Sequence, residues 1–295
     1  SFIFFVLESL NDKLNFIKFI ILNRFDYYFN LFSDNSIKHR LLNSIVCSKN
    51  NPLHNSNKKL HKVDVFINLL NNTPFKVNDI SYSMIRNRYL QKFIKINKKK
   101  SILIAPGSGC KEKHKRLNPD QYKNIIVSIK KHYDDYDIYL LGTKSELDLL
   151  NSIRFSIKDK CRLKVIKSFE ESFEILSSSS LLISNCNGSI HIGSLLNIPI
   201  VGLYGPTNFS YTGPYSNKVS ILQNNIECSP CYKRGFTTGC EDPICMKYIN
   251  NDSILNIIND ILMNNKYSKP MLRITKNLNI QEIKKIHNEY KNHIS

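Results

Sequence analysis

Residues 184–215 read SNCNGSIHIGSLLNIPIVGLYGPTNFSYTGPY. The stretch contains the end of one buried strand, a polar loop with Gly188, a short helix carrying His191, and a second buried strand that runs into Gly205-Pro206. That order sets a backbone-rich loop and a helix N-terminus at the carboxyl edge of a parallel sheet. Such an edge is where α/β proteins hold phosphorylated ligands. The stretch therefore predicts a nucleotide or nucleotide-sugar site.

Working outward, the same alternation continues on both sides. Ser101–Ala105 (SILIA) reads as a strand ending at Pro106-Gly107-Ser108-Gly109. Asn118-Pro119-Asp120 combines a capping Asn, Pro at the first helical position and an acid in the first turn, so a helix starts there. Residues 137–141 form a strand closed by Gly142, with a helix from about Lys144. Arg162–Ile166 is a short strand, and Ser168 caps a helix over 169–176. Strands over 181–184 and 199–204 flank the helix of His191. Strand and helix in strict alternation argue a doubly wound parallel sheet, one Rossmann-like domain.

All ten glycines lie at or after Gly107. The first 106 residues hold apolar helical stretches over 5–22, 37–46 and 59–70, and an aromatic strand-like run over 25–32. Lys92–Lys100 is the candidate linker. The expected organisation is a partial α/β domain over 1–95, a nucleotide-sugar-binding domain over 96–270, and a C-terminal helix over 271–295 that packs back on the N-terminal domain.

The bulk numbers exclude several classes. A hydrophobic fraction of 42% is too high for a wholly disordered chain. No run approaches the roughly 18 apolar residues of a membrane span. The apolar start, Phe2 to Leu7, lacks the basic flank and cleavage site of a signal peptide. The net charge of +18 invites an anionic partner. Lys, Asn and Ile are abundant together, as an AT-rich genome produces, and no aromatic-interleaved motif accompanies the Lys clusters. Attraction to an acidic membrane surface is the functional reading of the charge; nucleic acid is not expected as a partner.

Three constellations could carry chemistry. In the first, Gly188 lets a ligand approach the backbone, the following helix offers unpaired N–H groups, and His191 lies within its first turn. A packing histidine is the competing reading of His191. In the second, the loop with Ser108 precedes Lys115 and Arg116, where a Lys could offset phosphate charge; an exposed basic loop is the competing reading. Glu146, just after Gly142, can accept hydrogen bonds from a ribose or simply favour a helix N-terminus. In the third, Cys228, Cys231, Cys240 and Cys245 fall within eighteen residues. A structural zinc site, two disulfides and a set of reduced thiols all suit that spacing. The chain has no Walker motif, HExxH, GxSxG or GxGxxG, and no evident pair of catalytic carboxylates.

The opening stretch, CSPCYKRGFTTGCEDPICM at 228–246 and APGSGCKEKHKRLNPDQY at 105–122 together resemble the glycosyltransferase family 9 heptosyltransferases, most of all the heptosyltransferase II type. The resemblance covers about residues 101–264. It implies a GT-B fold of two Rossmann-like domains, the N-terminal one incomplete here. It also implies transfer of a heptose from a nucleotide-sugar, ADP-heptose, to the lipopolysaccharide inner core, with inversion and no required metal ion. The partners it implies are that donor and a lipid-linked oligosaccharide acceptor. The protein would be cytoplasmic and peripheral at the cytoplasmic face of the inner membrane. By position, Ser108 and Lys115 fall in the phosphate loop, Glu146 near the ribose, Ser168 and Phe169 near the adenine, and Asn187, Gly188 and His191 in the donor loop.

Two departures stand out. The family's Asp-Ser-Gly or Asp-Thr-Gly is replaced by Cys186-Asn187-Gly188, which loses the acid while Asn187 retains hydrogen-bonding capacity. The family's opening strand, glycine loop and base Asp have no counterpart, since no glycine precedes Gly107. A first βαβ portion of roughly sixty residues is therefore expected to be absent, and no catalytic base is assigned. The rival reading is a truncated or degenerate nucleotide-sugar binder without catalysis.

Overall fold

Ser101–Ala105 (β1) is buried along its whole length, and its side chains divide between two cores. Ile102 and Ile104 enter one, Leu103 and Ala105 the other. A strand covered on both faces needs an unbroken apolar run, which is why SILIA lacks alternation. Each fully buried Ile or Leu contributes about 1.5–3 kcal/mol of transfer free energy.

The computed structural model describes residues 60–71, 90, 99–109, 112–155, 157, 160–231, 240, 242–264, 266 and 271–278. The chain divides into two compact units, Ser1–Tyr82 and Ser83–Ser295. The division falls before the Lys-rich stretch expected as a linker. In the first unit the described element is helix α1, Lys62–Asn71, close to the expected 59–70. His61 Nδ1 accepts from the Val63 N–H at 3.2 Å and so satisfies one orphan donor of its first turn. The expected elements over 5–22, 25–32 and 37–46 lie outside the described residues.

The second unit follows β1 with α2 (Pro119–His132), β2 (Asp137–Thr143), α3 (Leu147–Arg154), β3 (Arg162–Ile166), α4 (Phe169–Ser177), β4 (Leu181–Asn185) and α5 (Gly188–Leu195). Then come β5 (Ile200–Tyr204), α6 (Phe209–Thr212), β6 (Val219–Ile226), α7 (Ile244–Lys247), α8 (Asn251–Leu262) and β7 (Met271–Leu278). The sheet order is β3-β2-β1-β4-β5-β6-β7, and every pairing is parallel. Side chains of α2, α3, α7 and α8 fill one core, and those of α4 and α5 fill the other. The doubly wound sheet expected from the alternation is present.

The predicted helix starts hold at atomic detail. Asn118 accepts from Gln121 N–H at 2.8 Å while Gln121 accepts from Asn118 N–H at 3.1 Å, a reciprocal cap with Pro119 behind it. Ser168 caps α4 and Asn187 caps α5. One expectation is corrected: residues 271–278 form a strand paired with β6, not the start of a helix. Residues 279–295 lie outside the described residues.

Candidate functional site

The strand order reverses between β1 and β4: β2 and β3 build outward on one side, β5 to β7 on the other. Loops leaving neighbouring strands at such a point diverge to opposite faces and open a crevice at the carboxyl edge. Ala105 lies in register with Ser184, so Pro106–Gly109 faces Asn185–Gly188 across that crevice.

Two asparagines join the facing loops. Asn185 is fully buried; its Nδ2 donates to Pro106 O at 2.7 Å and to Gly107 O at 3.4 Å. Its Oδ1 accepts from the Tyr122 hydroxyl at 2.6 Å. Burial pushes the Tyr122 hydroxyl far above the usual phenol range, so it stays protonated and donates. Asn187 Nδ2 donates to Ala105 O at 3.2 Å and Gly107 O at 2.9 Å, while its Oδ1 accepts from Ser184 Oγ at 3.1 Å and Ser189 N–H at 2.9 Å. An amide has two donors and two acceptor positions. All four of Asn187 are taken within the chain.

The loop after β1 is closed on itself. Ser108, also expected to touch ligand, donates from Oγ to Glu112 O at 2.8 Å and accepts from Arg116 Nε at 2.8 Å. Arg116 Nη2 donates to Ser108 O at 2.5 Å. Lys115 sits in a 3-10 turn, Lys113–Lys115, and is 6% exposed, which removes the reading of an exposed basic loop. Its Nζ pairs with Glu112 Oε1 at 2.8 Å. The neighbouring His114 is buried, and burial, then the Lys115 charge, lowers its pKa.

Gly188 and His191, expected in a donor loop, are exposed. Gly188 begins α5 and is exposed, and among the described residues a Cβ built there would meet nothing within 4 Å beyond its chain neighbours and its own helix backbone. His191 is exposed on α5, not buried in packing. Glu146 Oε2 accepts from Thr143 N–H at 2.9 Å and Thr143 Oγ1 at 3.0 Å, so the helix-start reading holds. The same carboxylate lies against Gly107: a Cβ there would fall 1.7 Å from Oε1. Glu146 therefore also borders the β1 loop. Ser168 Oγ accepts from Glu171 N–H at 3.2 Å, and Phe169 beside it is 60% exposed, edge-on to Phe173. Both follow β3, two strands away from β1 on the same edge.

The cysteine segment borders the other side of this edge. His114, Cys228, Cys231, Cys240, Asp242 and Cys245 line a cavity of 310 Å³ together with Pro206. None of the four cysteines is in a disulfide. Burial, then the neighbouring thiols, raises Cys240 and Cys245 above the ordinary thiol range. Among the described residues no group of three or more His, Cys, Asp or Glu is placed to hold a metal ion. The set expected as a zinc site shares a cavity without converging on one point, and no disulfide joins its members. Cys245 is held by packing: a Cβ at Gly205 would lie 2.7 Å from its Sγ.

Residues 44–240 match the family model of glycosyltransferase family 9 (heptosyltransferase). The chain belongs to that family. Among family 9 relatives, lipooligosaccharide heptosyltransferase 2 of Campylobacter jejuni serotype O:2 is 23% identical over 177 residues, 57% of this chain and 53% of the relative. Its serotype O:6 counterpart is 22% identical over 218 residues, 69% of this chain and 65% of the relative. The chain thus spans between about half and two thirds of the length of these relatives. Among solved structures, Escherichia coli heptosyltransferase WaaC with ADP superposes with a TM-score of 0.64 at 12% identity, over 86% of this chain and 79% of that one. That likeness concerns the fold, which is α/β of the GT-B type.

For a family 9 chain, the site residues that sequence reading missed are the ones that hold the loops. Asn185 and Tyr122 sit in buried, otherwise apolar positions and carry no local signature. Arg116 was visible only as one charge in a basic run. A signal existed for Asn185: a polar residue closing an apolar strand must find partners across the sheet end.

Proposed function

We propose that this chain moves a heptose from ADP-heptose to the lipopolysaccharide inner core with inversion at the anomeric carbon. The observation that carries the reading is the crevice between β1 and β4. It has backbone-rich loops on both sides, an open helix start at Gly188, and the buried Lys115 behind one loop. Membership of family 9 and the names of the relatives support the same reading.

In this reading the diphosphate of the donor lies over Gly107–Gly109 and the N-terminus of α5. Backbone N–H groups and the partial positive charge of the helix stabilise it there. A base removes the proton of the acceptor hydroxyl as that oxygen attacks the anomeric carbon, and the bond to the diphosphate breaks. Charge grows on the leaving phosphate oxygens, where the Lys115 ammonium and the helix start act most strongly in the transition state. Phe169 offers an exposed ring to the adenine, Glu146 borders the ribose, and His191 faces the donor from α5. Among the described residues no helix is long and apolar enough to cross a membrane. The excess of basic residues attracts the protein to the anionic inner membrane, where a lipid-linked acceptor resides.

The test is a donor panel of ADP-, UDP- and GDP-sugars with a heptose-deficient inner-core acceptor, using the full chain. Transfer from ADP-heptose with inverted product is the expected result. Binding of ADP-heptose without transfer would replace this reading with that of a nucleotide-sugar binder.

A further inference from the structure

The Tyr122–Asn185 pair is buried, fully hydrogen-bonded and outside the set of groups that face the crevice. Asn185 closes β4, yet both of its donors point across to the carbonyls that begin the loop after β1. Those carbonyls only accept, so the amide orientation is fixed: Nδ2 faces the loop and Oδ1 faces α2. Tyr122, on α2, is then the matching donor. Asn187 repeats the pattern one residue beyond Cys186, with Nδ2 on Ala105 O and Gly107 O. Gly107 O thus receives an amide from each asparagine. The two loops separate toward opposite faces of the sheet, and three carbonyls of one are held by two side chains of the other.

We propose that Asn185, oriented by Tyr122 and seconded by Asn187, is a positioning residue that sets the spacing of the two phosphate-facing loops. The proposal rests on the donor-site reading above. Only an amide fits this position. A carboxylate would set an acceptor against two carbonyls, and an apolar side chain would take the Asn185 donor from the Pro106 carbonyl and the acceptor from the Tyr122 hydroxyl proton. With Asn185 changed, the β1 loop keeps its internal contacts through Ser108, Glu112 and Arg116 but loses its distance from Gly188. The loss falls on the part of a ligand that spans both loops, a diphosphate, and not on its nucleoside.

The experiment compares ADP with adenosine by calorimetric titration of the full chain, with thermal unfolding recorded for each variant. Asn185→Leu is expected to weaken ADP about tenfold or more while adenosine binding stays within about twofold, since small misplacements of a binding group cost this much. Tyr122→Phe leaves the Asn185 donors in place and removes only their orienting partner, so a loss of roughly threefold for ADP is expected. In the double variant Tyr122→Phe should add nothing to Asn185→Leu, because both act through one chain of hydrogen bonds. A folded Asn185→Leu with the wild-type ratio of ADP to adenosine affinity overturns the proposal. If that variant does not fold, Tyr122→Phe decides: an unchanged ratio overturns it too. A wild-type chain that binds ADP no better than adenosine overturns the donor-site reading itself, and the positioning role with it.

Discussion

At the ends of β1 and β4 polar side chains are spent on the backbone of the facing loop, while the helix start at Gly188 is exposed. At the ends of β5 and β6, a few residues away along the same edge, the arrangement is reversed. There the backbone of Gly205 is covered by Cys245 and Met246, its carbonyl accepts from Ser229 Oγ at 2.6 Å and Gln223 Nε2 at 2.9 Å, and the thiols face a cavity. The buried Thr207 Oγ1 has no hydrogen-bond partner on that side. The two regions use glycine for opposite ends. Gly188 leaves room for something outside the chain, whereas Gly205 leaves room for the chain itself.

That contrast can be broken by substitution. The largest effect is expected at Lys115. Lys115→Ala removes the cation behind the β1 loop and with it the ion pair to Glu112. Transfer from ADP-heptose should fall about 10²–10³-fold, as for loss of one preorganised transition-state contact. Steady-state kinetics equal to wild type would remove Lys115 from the site.

Next comes Gly205→Ala. The added methyl would lie 2.7 Å from both Cys245 Sγ and Met246 Sδ, so it must displace packed atoms. A loss of roughly 1–3 kcal/mol in denaturant unfolding is expected, with partial recovery in a Gly205→Ala, Cys245→Ala double variant. Gly188→Ala makes the complementary point. Among the described residues, nothing beyond its chain neighbours and its own helix backbone lies within 4 Å of its new methyl. Unfolding should be unchanged, and ADP affinity should drop about tenfold because only a ligand meets that methyl. Equal stability losses at Gly188 and Gly205 would erase the distinction between the two regions.

A smaller effect joins them through His114, which lines the thiol cavity and precedes Lys115. Its folded-state pKa is lowered, first by burial and then by Lys115. The unfolded chain therefore binds the extra proton more readily. Stability is complete above the unfolded value of about 6.5 and declines as pH falls from there through the folded value. Thermal unfolding followed from pH 8 down to 5 should show that decline, and His114→Gln should flatten it. The smallest expected signal is a rate order. Cys228 is exposed and Cys245 is buried, so a thiol reagent followed by peptide mapping should label Cys228 first and Cys245 last.

How much was legible can be judged from particular residues. SILIA, the Asn118-Pro119 start and the Ser168 cap were readable because each rests on local chemistry: a continuous apolar run, a missing N–H, a side-chain acceptor. β6 was not read, because Gln223 and Asn224 interrupt its apolar run. Both are buried, and their amides are satisfied by Gly205 O and Cys245 O, far away in sequence. β7 was expected as helix because its pairing with β6 is a long-range property. Asn187 was read from its place in the loop, and the bonds from its amide to Ala105 O and Gly107 O were not legible because those carbonyls lie some eighty residues away.

The sequence by itself determined the alternation, the doubly wound class, the loop with Gly188 and the kinship to family 9. These follow from periodicity and from short motifs whose physics is contained within a few residues. The tertiary structure alone decided which polar residues are spent within the frame and which stay exposed. It put Lys115 inside, His191 outside, Asn185 and Asn187 across the crevice, and the four thiols around a cavity without a common centre. The reason is that a hydrogen bond or a metal ligand is defined by where its partner stands, and those partners are brought together by the strand order rather than by the sequence near them.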